Sequence, residues 1–80
     1  MYDEFFELLK YNLKDSFTSK DAKDVLDSNG YKYKEKTIEG FIIKEHSLKI
    51  EEIISILDYL VQNGYLDFDD SGKVNKYKVI

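Results

Sequence analysis

Residues 50–66 read IEEIISILDYLVQNGYL, and this stretch decides the fold. Its apolar residues recur at helical spacing and form one unbroken stripe, made of Ile50, Ile53, Ile54, Leu57, Leu60 and Val61. This spacing predicts an amphipathic helix that packs in the core. Asn63 and Gly64 end the helix, because glycine adopts the left-handed conformation of a helix C-terminus at little cost.

Downstream of Gly64 the apolar period changes from helical to alternating. The runs 65–68 and 73–80 are rich in aromatic and β-branched residues, and the polar segment 69–72 between them contains a glycine. Such a pattern predicts a β-hairpin. An isolated hairpin is marginally stable, so we expect one face, formed by Leu66, Phe68, Tyr77 and Val79, to pack on the helices.

Upstream, the sequence predicts two further helices. The segment from Asp3 to Lys14 is amphipathic, with acidic residues at its start and lysines at its end. A second, shorter helix begins at Thr18 or Ser19, where Asp21 completes an approximate capping box, and it ends at 28–30.

The middle of the chain is less regular. Residues 31–36 alternate tyrosine with charge, which predicts a loop or a short edge strand. A helical period returns at Thr37 and predicts a helix over 37–45, although Gly40 weakens it. A turn at 46–49 then leads into the helix that begins at Ile50.

The order of these elements resembles the winged helix-turn-helix superfamily. The resemblance covers 37–80 and depends on the apolar pair of the last helix, on Gly64, and on Tyr65-Leu66 at the start of the hairpin. It implies a supporting helix at 37–45, a turn at 46–49, a recognition helix at 50–63 and a wing at 65–80.

A second register of the same resemblance stays open. Residues 17–26 also resemble a strand followed by a supporting helix, which would make 36–45 the recognition helix and 50–63 an additional core helix. In either register we expect one domain over 1–80, α+β but mostly α, with about four helices followed by a C-terminal β-hairpin wing.

Composition restricts the function. Twelve lysines, no arginine and sixteen acidic residues give a net charge of −4, which disfavours a general polyanion binder. The chain has no cysteine, and its single histidine, His46, lies in a predicted turn without the geometry of a catalytic triad. We therefore expect a cytoplasmic protein that is not an enzyme and has no cofactor, metal site, small-molecule substrate or membrane partner.

The leading function that the resemblance implies is a small DNA-binding transcriptional regulator with duplex DNA as its partner, since winged helices commonly place one helix in the major groove. The absence of arginine removes the commonest specific base contact, whereas lysine still neutralises phosphate. Two lysine clusters and the start of the last helix supply the candidates: Lys32, Lys34, Lys36, Ser47, Lys49, Ser55, Lys73, Asn75, Lys76 and Lys78. Alternatively, the lysines only form the solvent-exposed faces of short edge strands, where they discourage pairing with a further strand.

A protein partner fits the same sequence, because the last helix is acidic and seven tyrosines exceed what a small core encloses. The candidates for this interface are Tyr11, Tyr31, Tyr33, Glu51, Glu52, Asp58 and Tyr59. In this alternative the domain keeps the winged-helix fold without contacting DNA, as an inhibitor from a phage or mobile element would. A homodimer through the wide apolar face of the first helix, or simple core packing of that face, also stays open.

Overall fold

The computed structural model describes residues 2–36 and 43–80. This part of the chain is a small α+β arrangement of three helices and two antiparallel hairpins. In chain order the elements are α1 (Asp3–Asn12), α2 (Ser19–Ser28), β1 (Tyr33–Lys36), β2 (Ile43–His46), α3 (Ile50–Gln62), β3 (Leu66–Asp69) and β4 (Lys76–Val79). The α+β class predicted from the sequence is confirmed, and the described residues contain three helices.

The predicted signals at the helix ends are confirmed. The Thr18 hydroxyl accepts a hydrogen bond from the Asp21 N–H, and the Asp21 carboxylate accepts one from the Thr18 N–H, so α2 begins with a capping box. At the other end of the core, α3 stops just before Gly64, which has a φ of +81°. The Tyr65 N–H then donates to the carbonyl of Leu60 at 2.9 Å, which turns the chain towards β3.

The C-terminal hairpin is present as predicted and gains a third short pairing. In β3 and β4, Leu66 pairs with Val79 and Phe68 pairs with Tyr77. Phe17 extends the sheet, because it exchanges two backbone hydrogen bonds with Tyr77, at 2.8 and 2.7 Å. Leu66 and Tyr77 are buried and Val79 is half-buried, whereas Phe68 stays 42% exposed, so the expected inner face is only partly covered.

A single hydrophobic core joins the three helices to the C-terminal hairpin. α2 packs on both α1 and α3, and α3 packs on β3. Phe5 and Leu9 of α1 are fully buried, and Phe6 and Leu8 pack against the same core. The wide apolar face of α1 is therefore used inside the domain, as simple core packing requires.

The helix predicted over 37–45 is wrong where the structure describes it. Residues 43–46 form β2, which pairs with β1 so that Tyr33 lies opposite His46 and Lys34 opposite Glu45. Backbone pairing between the two strands replaces the hydrogen bonds of a helix, and the Tyr33 and His46 rings lie 5.7 Å apart. His46 therefore ends a strand and does not lie in a turn between helices, while 37–42 lie outside the described residues.

Candidate interaction surfaces

The outward face of α3 is acidic. At 100° per residue, Glu51, Ser55, Asp58 and Gln62 lie opposite the buried stripe, and all four are exposed. Residues 50–62 contain three carboxylates and no cationic side chain. The Ser55 hydroxyl donates to the carbonyl of Glu51 at 3.1 Å, so it is engaged within the helix. This face therefore presents negative charge with nothing on the same helix to neutralise it.

The start of α3 uses two of the candidate residues for capping. The Lys49 N–H donates to the Glu52 carboxylate at 2.9 Å, which satisfies a backbone donor that the helix leaves unpaired. Glu52 is half-buried in this position, whereas the Lys49 side chain is exposed. Glu52 thus contributes mainly to the helix terminus, and Glu51 and Asp58 carry the exposed charge.

The lysines of the C-terminal hairpin lie opposite aspartates. In the strand register Asp67 pairs with Lys78 and Asp69 pairs with Lys76, and all four side chains are exposed. Residues 66–79 contain three aspartates and three lysines, so the hairpin has no net charge. Lys73 and Asn75 are exposed in the segment before β4. The predicted lysine cluster of this hairpin is therefore a mixed-charge surface.

A tight turn fixes the acidic end of β3. The Asp69 carboxylate accepts hydrogen bonds from the Ser71 hydroxyl at 2.6 Å and from the Ser71 N–H at 2.9 Å. These two bonds favour the ionised carboxylate and lower the pKa of Asp69, and Lys76 acts in the same direction. Asp69 thus keeps its negative charge beside the lysines of β4.

One lysine beside the first hairpin is engaged in a hydrogen bond. The Lys32 ammonium donates to the Ser47 hydroxyl at 2.7 Å, which ties the two ends of the hairpin together. Lys34 is exposed, and its partner across the strands is Glu45. Lys36 ends β1. The two hairpins are separate sheets, so their lysines do not form one continuous strand surface.

The tyrosines named from the sequence differ in exposure. Tyr11 is 79% exposed, and the Lys14 ammonium lies 5.7 Å from the centre of its ring. Tyr31 and Tyr33 are half-buried and pack against the core. Burial raises the pKa of Tyr31, and the nearby Glu4 adds to this effect. Tyr31 and Tyr33 therefore contribute mainly to packing, and Tyr59, 45% exposed, is a better surface candidate.

An aromatic cleft lies between the start of α1 and the end of α3. Its volume is about 110 Å³, and it is lined by Tyr2, Asp3, Phe6, Tyr59, Leu60 and Tyr65. The Tyr2 and Tyr59 rings lie 5.3 Å apart, edge to face, and the Phe6 and Tyr65 rings lie 5.4 Å apart. We call this cleft the aromatic cleft, after the four rings that line it, which belong to Tyr2, Phe6, Tyr59 and Tyr65.

Sequence reasoning named only Tyr59 among these rings. The available signal was the spacing of Tyr2 and Phe6, four residues apart at the start of α1, together with tyrosines on both sides of the end of α3. The meeting of these two helix ends is a tertiary feature, and periodicity within one helix does not predict it.

The described residues hold no group of three or more histidine, aspartate or glutamate side chains that could bind a metal ion. Within the same part of the chain, each helix is too short or too polar to cross a membrane. Comparison with known proteins adds no identification: no family model matches the chain, and no curated protein or solved structure matches it significantly.

Proposed function

We propose that this chain is a non-enzymatic interaction module of winged-helix type that binds a basic protein surface through the exposed face of α3. The observation that carries the proposal is the charge of that face, where Glu51 and Asp58 are exposed and the helix has no cation. A cationic partner gains Coulomb energy there, while a phosphate is repelled. With a net charge of −4, the whole chain favours the same kind of partner.

Three features support the winged-helix assignment. α2 and α3 pack on each other and are followed directly by a hairpin, and Phe17 pairs with that hairpin as a minimal third strand. In this arrangement α2 is the supporting helix, α3 takes the place of the recognition helix, and the β1–β2 hairpin replaces the usual short turn. The proposal thus combines parts of both registers of the resemblance.

The lysines of the wing support a protein partner over DNA as the main function. Each lysine of β4 has an aspartate opposite it, so a phosphate that approaches Lys76 or Lys78 also meets Asp69 or Asp67. Counterion release, which provides most nonspecific DNA affinity, needs cations that are not already neutralised. A mixed-charge wing beside an acidic helix suits a protein contact.

The test compares two variants with the same net charge. Glu51→Gln with Asp58→Asn removes two carboxylates from the α3 face, and Asp15→Asn with Asp24→Asn removes two exposed carboxylates elsewhere, so that each variant has −4 + 2 = −2. With a fluorescein-labelled octa-arginine peptide as the probe, we expect the first pair to weaken binding about fivefold, at about 0.5 kcal/mol per charge. Equal weakening in both variants would overturn the assignment to α3.

Duplex DNA is the second candidate, and the exposed lysines of the two hairpins favour it, above all Lys34 and Lys73. If DNA is the partner, contacts with about four phosphates give a log–log salt slope near −3.6. Replacing Lys73, Lys76 and Lys78 together by glutamine would then weaken binding and flatten that slope. The absence of binding at low salt removes this candidate.

A further inference from the structure

We propose that the aromatic cleft binds one cationic side chain, a guanidinium or an ammonium group, of the basic protein partner. This inference deepens the proposed function and rests on it, because it names the part of the partner that enters a specific pocket. It concerns a surface distinct from the outward face of α3, at the end of the helix where Tyr59 lies.

The rings provide the first part of the argument. Two ring pairs, Tyr2 with Tyr59 and Phe6 with Tyr65, line the cleft, and within each pair the centres are less than 5.5 Å apart. The face of an aromatic ring attracts a cation placed within about 6 Å of its centre. A cation that enters the cleft is bordered by these four rings.

The electrostatics point to the same occupant. Asp3 lines the cleft, and Glu4 follows it in the first turn of α1. Tyr59 and Leu60 belong to the end of α3, where the helix dipole is negative, and the last turn of α3 contains no basic residue. The negative end of the α3 dipole favours positive charge on this side of the cleft.

The volume sets the size of the group. A cleft of about 110 Å³ corresponds to about four water molecules, taking about 30 Å³ for each in the liquid. A guanidinium group has four heavy atoms and fits this space together with the end of its aliphatic chain.

The test uses three small peptides and the intact chain. Acetyl-Gly-Arg-Gly-amide and acetyl-Gly-Lys-Gly-amide carry the cation, and the citrulline analogue has nearly the same shape as the arginine peptide without the charge. In NMR titrations at low salt, we expect the two cationic peptides to shift the ring protons of Tyr59 and Tyr65 in a saturable way. The citrulline peptide should shift them at least threefold less at the same concentration.

Two variants locate the binding. Tyr59→Leu and Tyr65→Leu each remove one partly exposed ring and keep an apolar side chain, and we expect about threefold weaker binding of the arginine peptide. Tyr11→Leu is the matched control, since Tyr11 lies outside the cleft and is 79% exposed. Unchanged folding of all three variants is checked by circular dichroism.

The outcomes separate the cleft from the proposed function. Equal shifts with the citrulline peptide, equal loss in the Tyr11 variant, or ring shifts that depend only on protein concentration, as in self-association, would overturn the cation pocket. If octa-arginine still binds through Glu51 and Asp58 in those cases, the proposed function stands and the cleft inference fails. If octa-arginine does not bind at all, the proposed function fails, whatever the small peptides do.

Discussion

Tyr77 adds a hydrogen bond between the C-terminal hairpin and the proposed binding helix α3. Its ring is buried against Phe17 and Phe68, and its hydroxyl donates to the Asp58 carboxylate at 3.3 Å. Burial raises the pKa of Tyr77, and the negative charge of Asp58 and the hydrogen bond to it act in the same direction. Ionisation of this phenol is therefore harder in the folded protein than in the unfolded chain.

This shift predicts a loss of stability in alkaline solution. Because folding raises the pKa above its ordinary value of 10.0, the stabilisation is fully present below about pH 10 and is lost as the pH rises through the folded pKa. Tyr77→Phe should lower the free energy of unfolding by about 0.5–1 kcal/mol at pH 7 and reduce its decline above pH 10. Urea unfolding from pH 7 to pH 11 measures both effects.

Tyr11→Phe is the control for this prediction, because Tyr11 is largely exposed and lies outside the core. With Tyr11→Phe, the free energy of unfolding should decline above pH 10 as it does in the unchanged chain. Tyr31, whose pKa is also raised by burial, accounts for part of the decline that remains in the Tyr77 variant. An unchanged decline in Tyr77→Phe would contradict the role given to the buried phenol.

At the scale of elements, the pairing of aspartates with lysines is the feature that distinguishes the C-terminal hairpin from a phosphate-binding surface. Asp67 and Lys78 lie directly opposite each other in β3 and β4. Lys78→Asp should place two like charges in register and destabilise the hairpin by about 0.2–1 kcal/mol. The swapped pair, Asp67→Lys with Lys78→Asp, should recover most of the loss in urea unfolding.

The swap also serves as a control on register, because it leaves the composition unchanged. If the double variant is no more stable than Lys78→Asp alone, the two side chains do not interact across the strands. In that case Lys76 and Lys78 are available to bind phosphate, and this result would favour DNA over a protein partner.

Elements differ in how well the sequence predicts them. α3 and the start of α2 follow from local signals, an apolar stripe ending in glycine and a capping box, and the structure confirms both. The structure of segment 43–46 does not follow from local signals, since Ile43 and His46 fit a helical period as well as a strand. Pairing with 33–36 makes this segment a strand. A contact between distant residues therefore overrides the local period.

At the scale of the whole molecule, the β1–β2 hairpin is a separate unit. Its strands pack mainly on each other, and the molecule measures 44 × 25 × 21 Å. The Lys32–Ser47 hydrogen bond and the Tyr33–His46 pair bring its two ends together. Tyr33 is the one residue of β1 and β2 among those that pack against the core in the part of the chain that the structure describes, so we expect the core to form without residues 34–45.

Excision of the hairpin tests this separation. Replacing residues 34–45 by Asn-Gly joins Tyr33 to His46 through a two-residue turn, which suits two residues that already lie opposite each other. We expect a cooperative urea transition with a free energy of unfolding within about 1 kcal/mol of the parent chain. A broad, noncooperative transition would mean that the hairpin is part of the core.

The candidate sites were predictable only in part. The charge of a helix can be read from its own sequence, whereas a cleft depends on how distant elements pack together. The acidic character of α3 follows from Glu51 and Asp58 in the sequence. The placement of Lys76 and Lys78 opposite aspartates depends on strand register, and the aromatic cleft depends on where α1 meets the end of α3. We use both of these tertiary features to favour a basic protein partner, which the sequence alone placed second to DNA.

The most direct test of this account is a parallel titration of the unchanged chain, at the same low salt concentration, with labelled octa-arginine and with labelled duplex DNA. An acidic α3 face and a C-terminal hairpin without net charge predict saturable binding of the peptide and no binding of the duplex. Binding of the duplex with a log–log salt slope near −3.6, together with no binding of the peptide, would contradict it.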